Sequence, residues 1–363
     1  MLWMLLVAFI LSGCGGQSQE APMFRANPAR TGVFPSNGPT TLNELVWKFK
    51  TDGAVASSPA VAGGGVYVGS YMRLYALDAN TGQEKWSFKT DGAVASSPAV
   101  ADGVVYVGGY VDYENNGRLY ALDVNTGQEK WHFKTYGFVF SSPAVVDGVV
   151  YVGSADGRLY ALDANTGQEK WSFKTDDPIG ASPAVAGGVV YVGSADGRLY
   201  ALDANTGQEK WSFKTDDPIG ASPAVAGGVV YVGSWDNRLY ALDANTGQEK
   251  WSFKTDGAVN SSPAVAGGVV YVGSDDNRLY ALDANTGQEK WSFQTDGRVF
   301  SSPAVAGRVV YVGSDDNRLY ALDANTGQEK WRFKTDGEVF SSPAVASGIV
   351  YFGSWDGYLY AVR

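Results

Sequence analysis

The chain has 363 residues, with 28 Lys and Arg against 38 Asp and Glu, and a formal net charge of −10. A pI near 4.7 argues against a basic nucleic-acid surface. A single Cys rules out an internal disulfide or a Cys-rich zinc site, and a single His, His132, rules out a two-histidine metal site. Aromatic residues at 13%, with 11 Trp, exclude a disordered composition.

The chain opens on an apolar run, Leu2 to Leu11, too short for the roughly 20 residues of a membrane-spanning helix. It ends in Leu11-Ser12-Gly13-Cys14, which resembles the lipobox of bacterial lipoproteins. That resemblance implies lipidation of Cys14 and removal of residues 1–13. The run lacks the usual basic residues before it, since the first charge is Glu20. A cleaved signal peptide with an incidental Cys is the competing reading. Residues 14–40 are rich in Gly, Ser, Gln, Pro and Asn and read as a tether and lead-in outside the core.

From Trp47 onward the sequence repeats. Trp recurs at 47, 86, 131, 171, 211, 251, 291 and 331, with spacings of 39, 45 and then 40 residues. Each unit holds four short segments rich in β-branched and aromatic residues, as in Ser-Pro-Ala-Val, Val-Val-Tyr-Val-Gly-Ser, Arg-Leu-Tyr-Ala-Leu-Asp and Glu-Lys-Trp-Ser-Phe-Lys. These predict four strands, A to D. The A–B link is a two-residue turn such as Gly187-Gly188 or Asp102-Gly103, B–C is Asp156-Gly157 or Asp236-Asn237, and C–D is Ala-Asn-Thr-Gly. A four-stranded meander cannot bury both faces alone, so a period near 40 predicts a β-propeller. Eight copies of Ser-Pro-Ala-Val give eight blades over residues 41–363. The chain stops on strand C of the eighth, and Glu44 to Lys50 is an unmatched D strand. The N-terminal strand is therefore expected to complete blade eight and close the ring.

Ala76-Leu77-Asp78-Ala79-Asn80-Thr81-Gly82-Gln83-Glu84-Lys85-Trp86 recurs from Ala121, Ala161, Ala201, Ala241, Ala281 and Ala321. It resembles the tryptophan-docking motif of the PQQ-like propeller repeat family, and Met23 to Gly32 resembles that family's first segment. The resemblance implies that Trp47, Trp86, Trp131, Trp171, Trp211, Trp251, Trp291 and Trp331 dock adjacent blades. One branch of the family comprises quinoprotein dehydrogenases with pyrroloquinoline quinone (PQQ) and Ca²⁺. Another comprises lipid-anchored outer-membrane assembly factors that bind proteins. The lipobox, the compact blades and the lack of a cysteine pair place the expectation with the second branch. It implies no cofactor, no enzyme activity, protein partners that include outer-membrane assembly machinery, and a cell-envelope location with membrane contact through the anchor alone. A PQQ-binding module and an extracellular carbohydrate- or polymer-binding propeller are the alternatives.

Few other residues in the sequence carry chemistry. The Asp repeated in each B–C turn is what such turns require. The insertion in blade two places Asp112, Glu114 and Asn116 with Gly117 in a spacing like that of a calcium loop, and it reads better as a solvated loop. His132, on the face opposite Trp131, reads as a surface residue. The blades differ mainly in the B–C turns and D–A connections, which share one face. There Tyr71, Tyr110, Tyr113, Phe138, Phe140, Phe300, Phe340 and Trp355 form an expected arc over blades seven, eight, one, two and three, a candidate partner-binding patch. The competing reading is that these rings only plug the channel mouth.

Overall fold

The computed structural model describes residues 23–94, 96–111 and 116–363. Cys14, Asp112, Tyr113 and Glu114 lie outside the described residues. All regular structure among those described is β, in eight sheets. No helix among them is long and apolar enough to cross a membrane. Blade three shows the common pattern, with strands Ala144–Val146, Val149–Gly153, Arg158–Asp163 and Glu169–Lys174 paired antiparallel in order. The A–B turn Gly187-Gly188 has φ of 57° and 74°, a left-handed pair that glycine adopts without strain. The C–D turn is tied by its aspartate: Asp78 Oδ1 accepts the backbone N–H groups of Asn80 and Thr81, both at 3.0 Å. Hydrogen bonds from Thr81, and secondarily from Asn80, hold Asp78 below its ordinary carboxylate pKa.

The innermost strands touch in a closed circle from blade one round to blade eight. At their start runs a second circle, of serines. Each N–H of Ser58, Ser97, Ser142, Ser182, Ser222, Ser262, Ser302 and Ser342 donates to the hydroxyl of the next blade's serine, at 2.8–3.0 Å. Blade eight is closed by Leu45–Lys50, which pairs antiparallel with Tyr358–Val362, and Glu44 and Arg363 exchange backbone hydrogen bonds beside it.

Between blades, seven of the eight docking Trp residues donate the indole N–H to a carbonyl in the next blade's C–D turn, as Trp47 does to Ala79 at 2.9 Å and Trp171 to Ala204 at 3.0 Å. The ring lies over that turn's glycine, so close that a Cβ on Gly82 would sit 2.6 Å from the Trp47 indole. Blade eight has no C–D turn to receive Trp331. Pro39 of the lead-in takes its place, its carbonyl accepting from Trp331 at 3.0 Å and from the Tyr311 hydroxyl at 2.8 Å.

The lead-in departs most from expectation. Residues 23–39 are not a tether outside the core: Met23 to Phe34 runs round the inner strands at one end of the central channel, and Ser36 to Pro39 continues over blades seven and eight. The carbonyls of Pro28, Ala29, Thr31 and Gly32 accept the free N–H groups of Val185, Val225, Val265 and Val305 on successive inner strands, at 2.8–2.9 Å. Val33–Phe34 then pairs parallel with Ala304–Ala306, which makes the sheet of blade seven five-stranded. The physical reason is that the innermost strands leave one row of backbone donors facing the channel, and buried donors need acceptors.

Candidate functional site

Two ends of the channel differ. Toward the A–B and C–D turns it is filled by the lead-in, with Arg25 and Arg30 fully buried in it. Arg25 donates to the carbonyls of Arg30, Ser262 and Pro263, and Arg30 to those of Phe24, Ser142, Pro143 and Pro183. Burial lowers both guanidinium pKa values to about 9, and repulsion from Arg30 adds to the shift of Arg25. The lead-in leaves a cavity of about 630 Å³ between blades three and four on this side, bounded by Asn27, Pro28, Tyr151 and Asn205.

The other end, on the face of the B–C turns and D–A connections, carries the aromatic residues. They form two clusters. Tyr110, Phe138 and Phe140 meet with centroids 4.6, 5.4 and 5.8 Å apart. Phe300, Phe340 and Trp355 meet in a chain, at 5.7 and 4.7 Å. Tyr71 is 60% exposed and shares no ring contact with either cluster among the described residues. The expected arc is thus two clusters with Tyr71 between them, because side-chain contact depends on radial position as well as blade order. Phe140, Phe300 and Trp355 are exposed, whereas Tyr110, Phe138 and Phe340 are partly buried beneath them.

In blades three to eight the Asp of the B–C turn has a structural role. Asp156 accepts the Arg158 N–H at 2.9 Å, the Tyr160 hydroxyl at 2.8 Å and the Tyr136 N–H of the D–A connection at 3.0 Å. It therefore fixes the two connections that present the aromatic rings. Asn116 is buried, and Asp123 ties its own C–D turn on the opposite face through Asn125 and Thr126. Among the described residues no three His, Cys, Asp or Glu side chains are grouped to hold a metal ion. His132 is exposed, with Nδ1 2.7 Å from Glu129.

The family model described as outer membrane protein assembly factor BamB matches residues 41–137 and 137–220, and that of the β-propeller of the β-alanine-activating enzyme matches 188–363. The chain belongs to the PQQ-like β-propellers. Among solved structures it resembles BamB from Moraxella catarrhalis at 22% identity, over 88% of this chain and 97% of that one, with a TM-score of 0.74. It resembles the computationally designed Ika8 protein at 21% identity, over 88% and 100%, with a TM-score of 0.79. It also resembles the quinohemoprotein alcohol dehydrogenase from Comamonas testosteroni at 18% identity, over 95% and 80%, with a TM-score of 0.80. At these identities the likeness speaks for the fold. Comparison with curated proteins finds no match.

In this PQQ-like propeller the channel mouth also holds groups that the repeat pattern does not single out. Tyr136 is 83% exposed on the D–A connection into blade three. Trp235 donates its indole N–H to Asn260 Oδ1 at 2.5 Å, and Asn260 donates in turn to Asp275 at 3.0 Å. Arg298 meets Asp315 at 2.8 Å. Asp275 and Asp315 occupy the first position of their B–C turns, where the other blades carry Ala155, Ala195, Trp235, Trp355 or Tyr71. That substitution was the available signal, hidden by the second, turn-fixing Asp beside it. Burial pushes both carboxyl groups above their ordinary pKa, against the lowering by Asn260 and Arg298 respectively.

Proposed function

We propose that the chain is a non-enzymatic scaffold of the bacterial cell envelope that captures protein partners at the aromatic channel mouth, in outer-membrane protein assembly. The observation that carries this reading is the pair of aromatic clusters, exposed on the one face where nearly identical blades diverge. Large rings held at a fixed position are the side chains that dominate binding hot spots. The resemblance to BamB, whose family description names outer-membrane assembly, supports the same role.

The quinoprotein reading has less support in the channel itself. Arg25 and Arg30 commit their N–H groups to seven backbone carbonyls between them and hold the lead-in inside the channel. At the mouth Asp315 Oδ2 is engaged by Arg298, Asp275 Oδ2 by Asn260 and Asp276 Oδ1 by the Arg278 N–H, and the remaining oxygens of Asp275 and Asp315 are sealed from solvent. These residues do not fit a quinone with its metal, and no redox step is assigned to them.

Phe140→Ala, Phe340→Ala and Trp355→Ala are each expected to weaken partner capture by about 1 kcal/mol or more, measured by pull-down from solubilised envelopes with the fold checked by circular dichroism. Gln168→Ala and Gln288→Ala, in C–D turns on the opposite face, are expected to leave capture unchanged. If all five variants capture as the parent does, the aromatic rings only plug the mouth.

Anchoring belongs to the same proposal. The stretch between Cys14 and Met23 can reach about 30 Å when extended, enough to hold the propeller close to a membrane. Cys14→Ser is expected to move the protein from the membrane fraction to the soluble one. Unchanged detergent-phase partitioning would remove lipidation from the account.

A further inference from the structure

The rim of the channel mouth is uneven in charge. On blades one to five the innermost D–A and B–C positions are apolar or small, among them Ala54, Phe138, Phe140, Pro178, Gly220 and Trp235. The charged groups lie together on blades six to eight: Asp275, Asp315 and Glu338, with Arg298 as the one cation among them. At these innermost positions three carboxylates meet one guanidinium, and the nearby Arg318 is spent on Asp296 and Asp316. The negative charges of Glu338 and, across the gap between blades six and seven, Asp275 add to the burial that raises Asp315, and Arg298 feels Asp315, Asp275 and Glu338 together. The Asp315 side chain is only 10% exposed, and in both residues Oδ1 is sealed from solvent without a hydrogen-bond partner. The neighbouring Asp276 and Asp316 each accept the hydroxyl of their own blade's strand-C tyrosine, Tyr280 or Tyr320, on Oδ2, and Asp316 Oδ1 is sealed without a partner like those of Asp275 and Asp315. Two half-buried carboxylates with one counter-ion are costly unless a second positive charge arrives.

The flanks of this acidic patch are aromatic. Trp235 stands on the blade-five side, linked through Asn260 to Asp275. On the blade-eight side stand Phe300, Phe340 and Trp355. In a ring of eight, blade two lies across the channel from blade six and blade three across from blade seven. The Tyr110–Phe138–Phe140 cluster therefore faces the carboxylates from the opposite rim.

We propose that the channel mouth takes a lysine or arginine side chain from an extended, apolar segment of the partner protein, with the charge over Asp275 and Asp315 and the flanking apolar residues on the two aromatic clusters. The inference rests on the protein-capture reading and names what is captured. An organic cation fits better than a metal ion. Arg298 already lies against Asp315, and Asn260 has spent its oxygen on Trp235, so the patch offers few free ligand oxygens. Exposed indole faces beside the patch suit a guanidinium or ammonium group through cation–π attraction. A side chain delivered there meets the field of both carboxylates without having to reach their sealed oxygens.

The probe is a phage-displayed library of random 12-residue peptides selected on the purified protein, followed by fluorescence anisotropy with the enriched peptide. The expected consensus carries Lys or Arg next to aromatic or aliphatic residues. Its affinity is expected to fall at least tenfold on the Asp275→Asn/Asp315→Asn variant, and equally when its basic residue is replaced by Gln. The double variant should melt no lower than the parent, because it removes charges that burial disfavours, and this separates lost binding from lost fold. Enriched peptides without a positive charge that still need Phe140 and Trp355 would overturn the cation site and leave protein capture standing. Peptides that bind equally to Asp275→Asn/Asp315→Asn and to Phe140→Ala/Trp355→Ala, as would basic peptides held on the opposite face, would overturn both. No enrichment at all would also overturn both.

Discussion

Deletion of residues 41–50 is expected to lower the melting temperature by roughly 10 °C or more, and to shift gel-filtration elution to larger species than the parent forms. The segment contains Leu45–Lys50, the fourth strand of blade eight. Without it, the strand Tyr358–Val362 presents an unpaired edge, which recruits other chains. The loss also removes Trp47, which is buried, bonded to Ala79 and packed over Gly82, and Phe49, whose ring meets Tyr75 edge-on at 5.4 Å. These contacts span the seam between the last blade and the first. Truncating a core Trp alone costs about 3–5 kcal/mol. Trp47→Ala, which keeps the strand, should show that part of the loss without oligomerisation. A melting temperature and elution volume equal to the parent's for the deletion would refute closure by the N-terminal strand.

The second large effect is expected at Arg30. Arg30→Met removes a guanidinium that serves four carbonyls, from Phe24 within the lead-in and from Ser142, Pro143 and Pro183 on blades three and four. Each buried carbonyl left without a donor costs about 1–3 kcal/mol. Relief of the arginine's own desolvation offsets part of that, so the expected net loss is several kcal/mol. The loss should appear as a lower melting temperature, with faster hydrogen exchange at Val185, Val225, Val265 and Val305, whose N–H groups bond to the lead-in. Arg30→Lys should rescue little, because an ammonium cannot reproduce the planar fork that reaches two blades at once. Wild-type exchange at those four valines in Arg30→Met would mean that the lead-in holds its place without the arginine.

Much of the fold is legible in the sequence for a simple reason. The turn residues are dictated locally: left-handed Gly187-Gly188, and Asp78 gathering the Thr81 and Asn80 N–H groups. Repetition then multiplies each local signal. The unmatched D strand at one end and the missing one at the other point directly to ring closure. The lead-in is less legible because nothing in Met23 to Pro39 has strand periodicity. Its bonds are made to backbone groups exposed only once eight blades are assembled, and Pro39 stands in for a turn that the chain end lacks. At the channel mouth the sequence names most of the exposed rings but not their grouping. Phe138 and Phe140 meet Tyr110 across a blade boundary, whereas Tyr71, on the blade next to that of Tyr110, meets none of the three. The Asp275–Asp315 patch shows the same limit, since two carboxylates 40 positions apart become neighbours only through the width of one blade.

The most direct test of the functional account places a photo-crosslinking amino acid at position 355, in the aromatic mouth, and separately at position 288, in a C–D turn of the opposite face. Irradiation of intact envelopes followed by mass spectrometry reads which proteins lie against each position. The account predicts a discrete protein adduct from position 355 and none from position 288. Adducts from position 288 with none from position 355 would contradict it.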